Sequence, residues 1–428
     1  MNKENYRLGK NVKKVFETPD DASYFFGYYD KCPVNCAGRF LLTHKVDFDG
    51  RDITKDDTAE IGVWDLSQQK YKKLSMTRSF NWQQGSMLQW LPPKFKDKII
   101  YNDRIDGKFV SVIFNLNTGE KTIIPFPVYA VHPSGEFALG INYERYFFIR
   151  PGYNYQGIVN NEWNTKIPTD DGIYKVDLTT GKVTLLLALE RVVNFRKSNG
   201  FIDSYNFLEF MFWNPSGTRF VFFHRWNDRS GCFRTRLFTC DQNGQDLYLF
   251  PDVDFISHLN WHDDSHFTVW ASEPTLNTQV VKEINKNVLY KKYIKPIYQF
   301  IKKRVFNKNL SILPPNTHFI DFKDLSNDYA LVGKTVLTSD GHNSWSADGR
   351  YMLTDTYQDS QNYRKLLLYD SLKDVAHLLG EFYSTYNNSG YRCDLHPRFS
   401  RDGRKVILDS AHRKSRGIIV LGISAFVQ

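Results

Sequence analysis

The sequence predicts an all-β fold, a single seven-bladed β-propeller over residues 1–428, with a basic helical insertion at 275–315 between blades five and six. Three observations predict it. A strand–turn–strand unit recurs seven times along the chain. Most copies are followed by a further hairpin such as VIFNLNTGEKTII or IYKVDLTTGKVTLL, which makes about four short strands per unit. A lone unit of that size cannot bury both faces, so units must stack around an axis.

The clearest pair is DGHNSWSADGRYMLTDTY (340–357) and DLHPRFSRDGRKVILDSA (394–411), which align without a gap. Asp-Gly supplies the turn because glycine accepts positive φ. The other copies are PVNCAGRFLLTH, QWLPPKFKDKIIYND, AVHPSGEFALGIN, FWNPSGTRFVFFHRW and NWHDDSHFTVWA. The apolar residue just before each turn anchors its blade: Val34, Trp90, Val131, Trp213, Trp261, Trp345 and Phe399. The last blade is short of an outer strand, and the N-terminal VKKVFE is predicted to supply it and close the ring. Two β-sandwiches are disfavoured by the uniformity of the motif.

Composition narrows the class. The chain of 428 residues is 41% hydrophobic and 24% charged, a globular balance, with aromatics at 16% and formal net charge +9. The N-terminal stretch has no apolar core and no segment is long enough to span a bilayer, so no signal peptide is expected and a cytoplasmic setting with reduced thiols is predicted. Phosphate-loop, Rossmann, HExxH and GxSxG motifs are absent from the sequence.

The repeat also predicts what faces the axial channel. Three residues before the anchors stand Lys31, Met87, Val128, Phe210, His258, His342 and His396, so three consecutive blades place histidine at one inner position. Asp355 and Asp409 fall ten residues after their anchors, and Cys393 lies three before His396. His342, His396, Cys393 and Asp355 are therefore the predicted divalent-metal ligands; imidazole with thiolate favours zinc over manganese. The alternative for both aspartates is a purely structural role in the repeat. FFHRW brings His224 and Arg225 to a strand end, with Arg234 and Arg236 following; a guanidinium fork suits a carboxylate or sulfate. Gln83 and Gln84 in blade two, Tyr28, Tyr29 and Asp30 in blade one, and Arg145 after blade three complete a polar, carbohydrate-type mouth. Blade-to-blade packing is the competing use of these aromatics.

Taken together, the WSADGR…TDTY unit, the CDLHPRFSRDGR unit and FFHRW resemble the seven-bladed propeller polysaccharide lyases of the oligogalacturonate-lyase and ulvan-lyase type. The resemblance spans most of the chain on motifs of moderate specificity. It implies a metal held by a His before one turn and by a Gln-x-x-His-x-His run before the next. Here the first is His342, while the run reads Cys393-x-x-His396-x-Arg398, so one ligand is altered and one is lost. It implies Arg225 as the catalytic arginine, with His258 as the nearest base by position. The expected reaction is β-elimination on an acidic, uronate-containing glycan, with Arg225 clamping the carboxylate, His258 as base and Tyr29 or Tyr28 as acid. Tyr28, Gln83, Gln84, Arg145, His224 and Arg234 are the expected substrate contacts. A non-catalytic glycan- or protein-binding propeller in surface-polysaccharide biosynthesis is the alternative. A glycosidase would need two carboxylates at the mouth, and only Asp30 offers itself.

The net charge has one source. The segment 280–309 holds nine Lys and Arg residues against a single acid, Glu283, and accounts for nearly all of it. Pro296 with Ile297, Ile301 and Val305 predicts an amphipathic helix there, suited to an anionic membrane surface or to a lid over an acidic glycan. A solvated helical hairpin on the rim is the plainer alternative. Nucleic acid is not an expected partner, because the charge is not spread along a groove.

Overall fold

The computed structural model describes residues 5–427 apart from 160–163, 197–200, 202, 228–232, 275–315, 385, 387–390 and 414. The predicted basic insertion lies outside the described residues. Seven antiparallel sheets follow one another along the chain, and the fold is a seven-bladed β-propeller. The described residues include two short helices, Tyr143–Ile149 between the second and third strands of blade three and Leu189–Asn194 after its last strand. No helix among the described residues is long and apolar enough to cross a membrane.

The predicted anchors end the inner strands. Trp90, Val131, Trp213, Trp261, Trp345 and Phe399 are the last residues of Gln89–Trp90, Val128–Val131, Asn206–Trp213, Ile256–Trp261, Ser344–Trp345 and Arg398–Phe399. Val34 is reduced to an isolated bridge with Leu41. Indole suits the position because it packs as an apolar plate and keeps one donor. The Trp90, Trp213 and Trp261 indoles each donate to a carbonyl of the preceding blade, those of Pro33 at 2.8 Å, Ala130 at 3.2 Å and Phe212 at 2.8 Å. In five of the turns the glycine (Gly38, Gly135, Gly217, Gly349, Gly403) has φ between +69 and +76°, where a Cβ would strain the backbone.

A second device ties blades together. A polar side chain on the second strand of one blade binds backbone of the next blade's innermost segment. Asn102 accepts from the Val128 N–H at 2.9 Å and donates to its carbonyl at 2.8 Å. Asp409 accepts from the Phe26 N–H at 3.0 Å. Asp355 accepts from Leu395 and His396 at 3.1 and 3.2 Å. The structural role weighed for the two aspartates is thus real.

Ring closure follows the sequence expectation. Lys13–Glu17 pairs with Gly417–Gly422 as the outer strand of blade seven. Tyr6–Leu8, not anticipated, adds a fifth strand to blade six against Val375–Tyr383. Glu17 fastens the closure: its carboxylate meets His412 Nε2 at 3.0 Å, Arg413 at 3.3 Å and Lys14 at 2.9 Å. Partial burial raises its pKa, but the His412 and Lys14 hydrogen bonds and the Arg413 charge outweigh this and hold it at about 2, against 4.5 unperturbed. A depressed carboxylate stabilises the fold above its unfolded pKa and loses that contribution as pH falls through the folded value. Glu17→Gln should therefore lower the thermal midpoint at neutral pH by an amount equivalent to about 1 kcal/mol, after discounting for solvent screening. The gap to wild type should close near pH 2, which melting curves across pH would show.

Candidate functional site

The inner strands kink where the repeat places the channel residues. Register breaks between Val128 and Ala130, Glu209 and Phe212, and Ile256 and Leu259. Met87, Phe210 and His396 take φ of 56, 58 and 43°. Such bulges re-aim side chains. The kinks fall at His258 and His396, and the three predicted histidines meet: the His258 and His342 rings lie 3.9 Å apart, and those of His342 and His396 4.3 Å.

Their hydrogen bonds fix the tautomers. His396 Nδ1 lies 2.8 Å from the Gly27 carbonyl, which can only accept, so Nδ1 carries the proton. His342 Nδ1 lies 2.9 Å from Asp355 Oδ1 and is protonated for the same reason. Both Nε2 atoms are buried without a hydrogen-bond partner among the described residues. Burial, together with the effect of His258 on His342 and of His342 on His396, pushes both imidazoles well below the ordinary histidine pKa, so they are neutral and able to ligate. Ligand atoms of His342, His396 and Asp394 lie within 4.8 Å of one another. Two orphaned imidazole nitrogens beside a carboxylate oxygen fit a divalent cation.

Two predicted ligands stand elsewhere. Asp355 lies behind the cluster, its oxygens taken by the His342 ring and by the backbone N–H groups of His342, Leu395 and His396. Cys393 packs its Sγ 3.9 Å from the Asp394 carbonyl, and burial pushes the thiol up to about 12, so it is protonated. Asp394, its neighbour, is the residue that meets His342 and His396. Without a thiolate the reason for preferring zinc to manganese falls away. A signal for Asp394 was present: Asp340-x-His342 and Asp394-x-His396 are equivalent in the repeat. Asp340 does related work, with Oδ1 3.1 Å from His258 Nδ1, which leaves His258 Nε2 as the open nitrogen. Arg398, where the resemblance expects a ligand, is buried and donates to the carbonyls of Tyr28 (2.8 Å) and Gly27 and to Asp409 at 2.9 Å. It clamps the blade-one loop onto blade seven.

Arginines dominate the rest of the mouth. Arg225 pairs with the buried Glu209 and donates Nε to Thr235 at 3.1 Å. Arg150 donates Nε to the other oxygen of Glu209 at 2.8 Å. Asp394 is paired with Arg364 at 2.9 Å and Arg392 at 2.7 Å. A line of rings joins the two sets: the Arg225 guanidinium lies 5.1 Å from the Phe210 ring, Phe210 5.4 Å from Tyr28, and Tyr28 5.0 Å from His396. Arg150, Glu209, Arg364 and Arg392 were not read from the sequence, where nothing in the repeat marks them.

The remaining predicted residues divide. The Tyr28 hydroxyl is buried inside the cluster, without a hydrogen-bond partner among the described residues. The Tyr29 hydroxyl crosses the channel to blade five, donating to the Leu259 carbonyl at 2.8 Å and accepting its N–H at 3.0 Å. Gln83 donates to the Arg392 carbonyl at 3.0 Å, and Gln84 to the Tyr129 hydroxyl at 2.8 Å. His224 points away from Arg225 on the same strand and is bonded to Asn206 at 2.9 Å and Arg236 at 3.1 Å. Arg145 is buried on carbonyls of Thr165 and Asn206. Arg234 is exposed and pairs in register with Trp226, on the strand face opposite Arg225. His224, Arg145 and Arg234 thus lie off the mouth.

No family model matches this chain, and no curated protein does. Solved structures do. One is an oligogalacturonate lyase in complex with manganese, with TM-score 0.63, 15% identity, and 98% of this chain and 95% of that chain covered. A second is the oligogalacturonate lyase of Vibrio parahaemolyticus, with TM-score 0.61, 14% identity, and 98% and 96% covered. At these identities the likeness shows the fold.

Proposed function

We propose that this protein is a β-elimination lyase acting on an acidic, uronate-containing glycan with the help of a divalent metal. The observation that carries the reading is the meeting, at one channel mouth, of a guanidinium fork at Arg225, a carboxylate-backed imidazole at His258 and a His–His–Asp donor cluster. The similarity in fold to oligogalacturonate lyases, one of them bound to manganese, supports it.

His342, His396 and Asp394 would hold the metal. When bound it supplies Lewis-acid neutralisation of the uronate carboxylate. Arg225 binds that carboxylate and stabilises the negative charge that develops when the α-carbon loses its proton. His258 Nε2 takes this proton, while Asp340 holds the Nδ1 proton and orients the ring. The electrons of the C–H bond form a carbon–carbon double bond as the bond to the β glycosidic oxygen breaks. That oxygen leaves with a proton from Tyr28, whose hydroxyl burial keeps protonated. Tyr29, committed to Leu259 at both lone pair and proton, is not the donor.

Incubation with oligouronates should raise ultraviolet absorbance from the unsaturated product, and a chelator should suppress it. Purified protein should carry stoichiometric divalent metal, and His342→Ala should reduce it to background by elemental analysis. Metal content that is substoichiometric and unchanged in the variant would sink the metal assignment. A binding-only propeller is the second reading, favoured by Arg225 already engaging Glu209 through Nη1 and Thr235 through Nε. Glycan binding without any absorbance change would select it.

A further inference from the structure

The guanidinium groups at the mouth outnumber the carboxylates that hold them. Glu209, 1% exposed, is shared by Arg150 and Arg225; Asp394, 2% exposed, by Arg364 and Arg392. Each set carries one positive charge more than it can neutralise. Tyr153 joins them: its ring lies under the Arg150 guanidinium at 4.0 Å, and its hydroxyl accepts from Arg392 at 3.4 Å.

Arg150 and Arg364 each hydrogen-bond through a single nitrogen among the described residues, but the Arg364 side chain is 3% exposed, and Arg150 is the one that solvent reaches. Its side chain is only 13% exposed, and Nε is the only nitrogen of its guanidinium with a hydrogen-bond partner among the described residues. Its two terminal nitrogens are therefore open donors, held in place by Tyr153 below and by Glu209 at the side. A largely buried cation with open donors is costly unless an anion completes it. The Arg225 clamp does not need Arg150 to make its own contact with Glu209 through Nη1. The position is thus surplus to the clamp and adjacent to it, sharing one carboxylate.

We propose that Arg150 forms a second anion-binding position beside Arg225, so that the site selects glycans in which the sugar adjoining the cleaved uronate also carries a carboxylate or a sulfate. This rests on the uronate-lyase reading for the identity of the first anion. A guanidinium with two open donors receives either oxyanion in the same bidentate manner.

Calorimetric titration with three disaccharides tests it: uronate joined to uronate, to a sulfated sugar, and to a neutral sugar. Wild type should bind at least one of the two dianionic probes about tenfold or more tighter than the monoanionic one, as a charge-assisted hydrogen-bonded contact implies. The stronger of the two names the second group. Arg150→Gln should remove that preference and leave the monoanionic probe within about twofold, and Arg150→Lys should restore part of it. Wild type without preference overturns the proposal, as does Arg150→Gln weakening all probes alike, which would make Arg150 a prop for Glu209. The readout is binding, so a dianion preference without elimination would refute the lyase reading and leave this one standing. Elimination without the preference would do the reverse.

Discussion

Arg225→Gln is expected to lower the rate of β-elimination by about two to three orders of magnitude, the usual effect of removing one preorganised contact to developing charge. The carboxylate being neutralised gains electron density as the α-proton leaves, so the contact strengthens toward the transition state and its loss falls on kcat as well as KM. Glutamine keeps one donor and loses the fork. The fold should survive, because Glu209 retains Arg150 at 2.8 Å and so is not left as an unpaired buried charge. Arg225→Lys keeps the charge without the planar geometry and should recover only part of the rate. Initial rates by absorbance, with melting curves for both variants, decide the matter. Turnover within about tenfold of wild type for Arg225→Gln would remove Arg225 from the mechanism.

The parts of this molecule that repeat are the parts that could be read beforehand. Anchors such as Trp90 and Trp261 recur because each blade needs the same plate and donor against the blade before it. Counting back from them located the three histidines, since the kink in the inner strand recurs as well. The strand that closes the ring was legible for a related reason: a blade short of a strand at one end of the chain implies a spare one at the other. What was missed depends on contacts the period does not control. Asp394 and Cys393 are neighbours in an irregular stretch, and only the path of the backbone decides which of them meets His342 and His396. Tyr28 and Tyr29 are likewise adjacent, yet one hydroxyl is locked to Leu259 and the other is open. Arg150 and Glu209 lie far apart in sequence, on a helix end and a blade-four strand, and carry no motif.

Asp355→Asn is the second large effect expected, and it separates two functions of one carboxylate. Oδ1 accepts from the His342 N–H at 2.8 Å and from its Nδ1 at 2.9 Å; Oδ2 accepts from Leu395 and His396 at 3.1 and 3.2 Å. All four groups facing Asp355 are donors, and an amide offers one acceptor end only. If the amide oxygen faces His342, its NH2 opposes two backbone N–H groups. If it turns the other way, the NH2 opposes His342 Nδ1 and drives the ring to the tautomer with the proton on Nε2, which removes the lone pair a metal would use. Either arrangement leaves buried donors unsatisfied, at about 1–3 kcal/mol each. Metal affinity should fall about 10- to 100-fold, as for loss of a group that orients a ligand histidine. The melting temperature should fall with it, since Asp355 also fastens blade six to blade seven. Titrating metal back distinguishes the two functions: saturating metal should restore most of the elimination rate while the lower melting temperature of the metal-free protein persists. Wild-type metal affinity in a destabilised Asp355→Asn protein would mean that the carboxylate serves the blades alone, and that His342 keeps its tautomer without it.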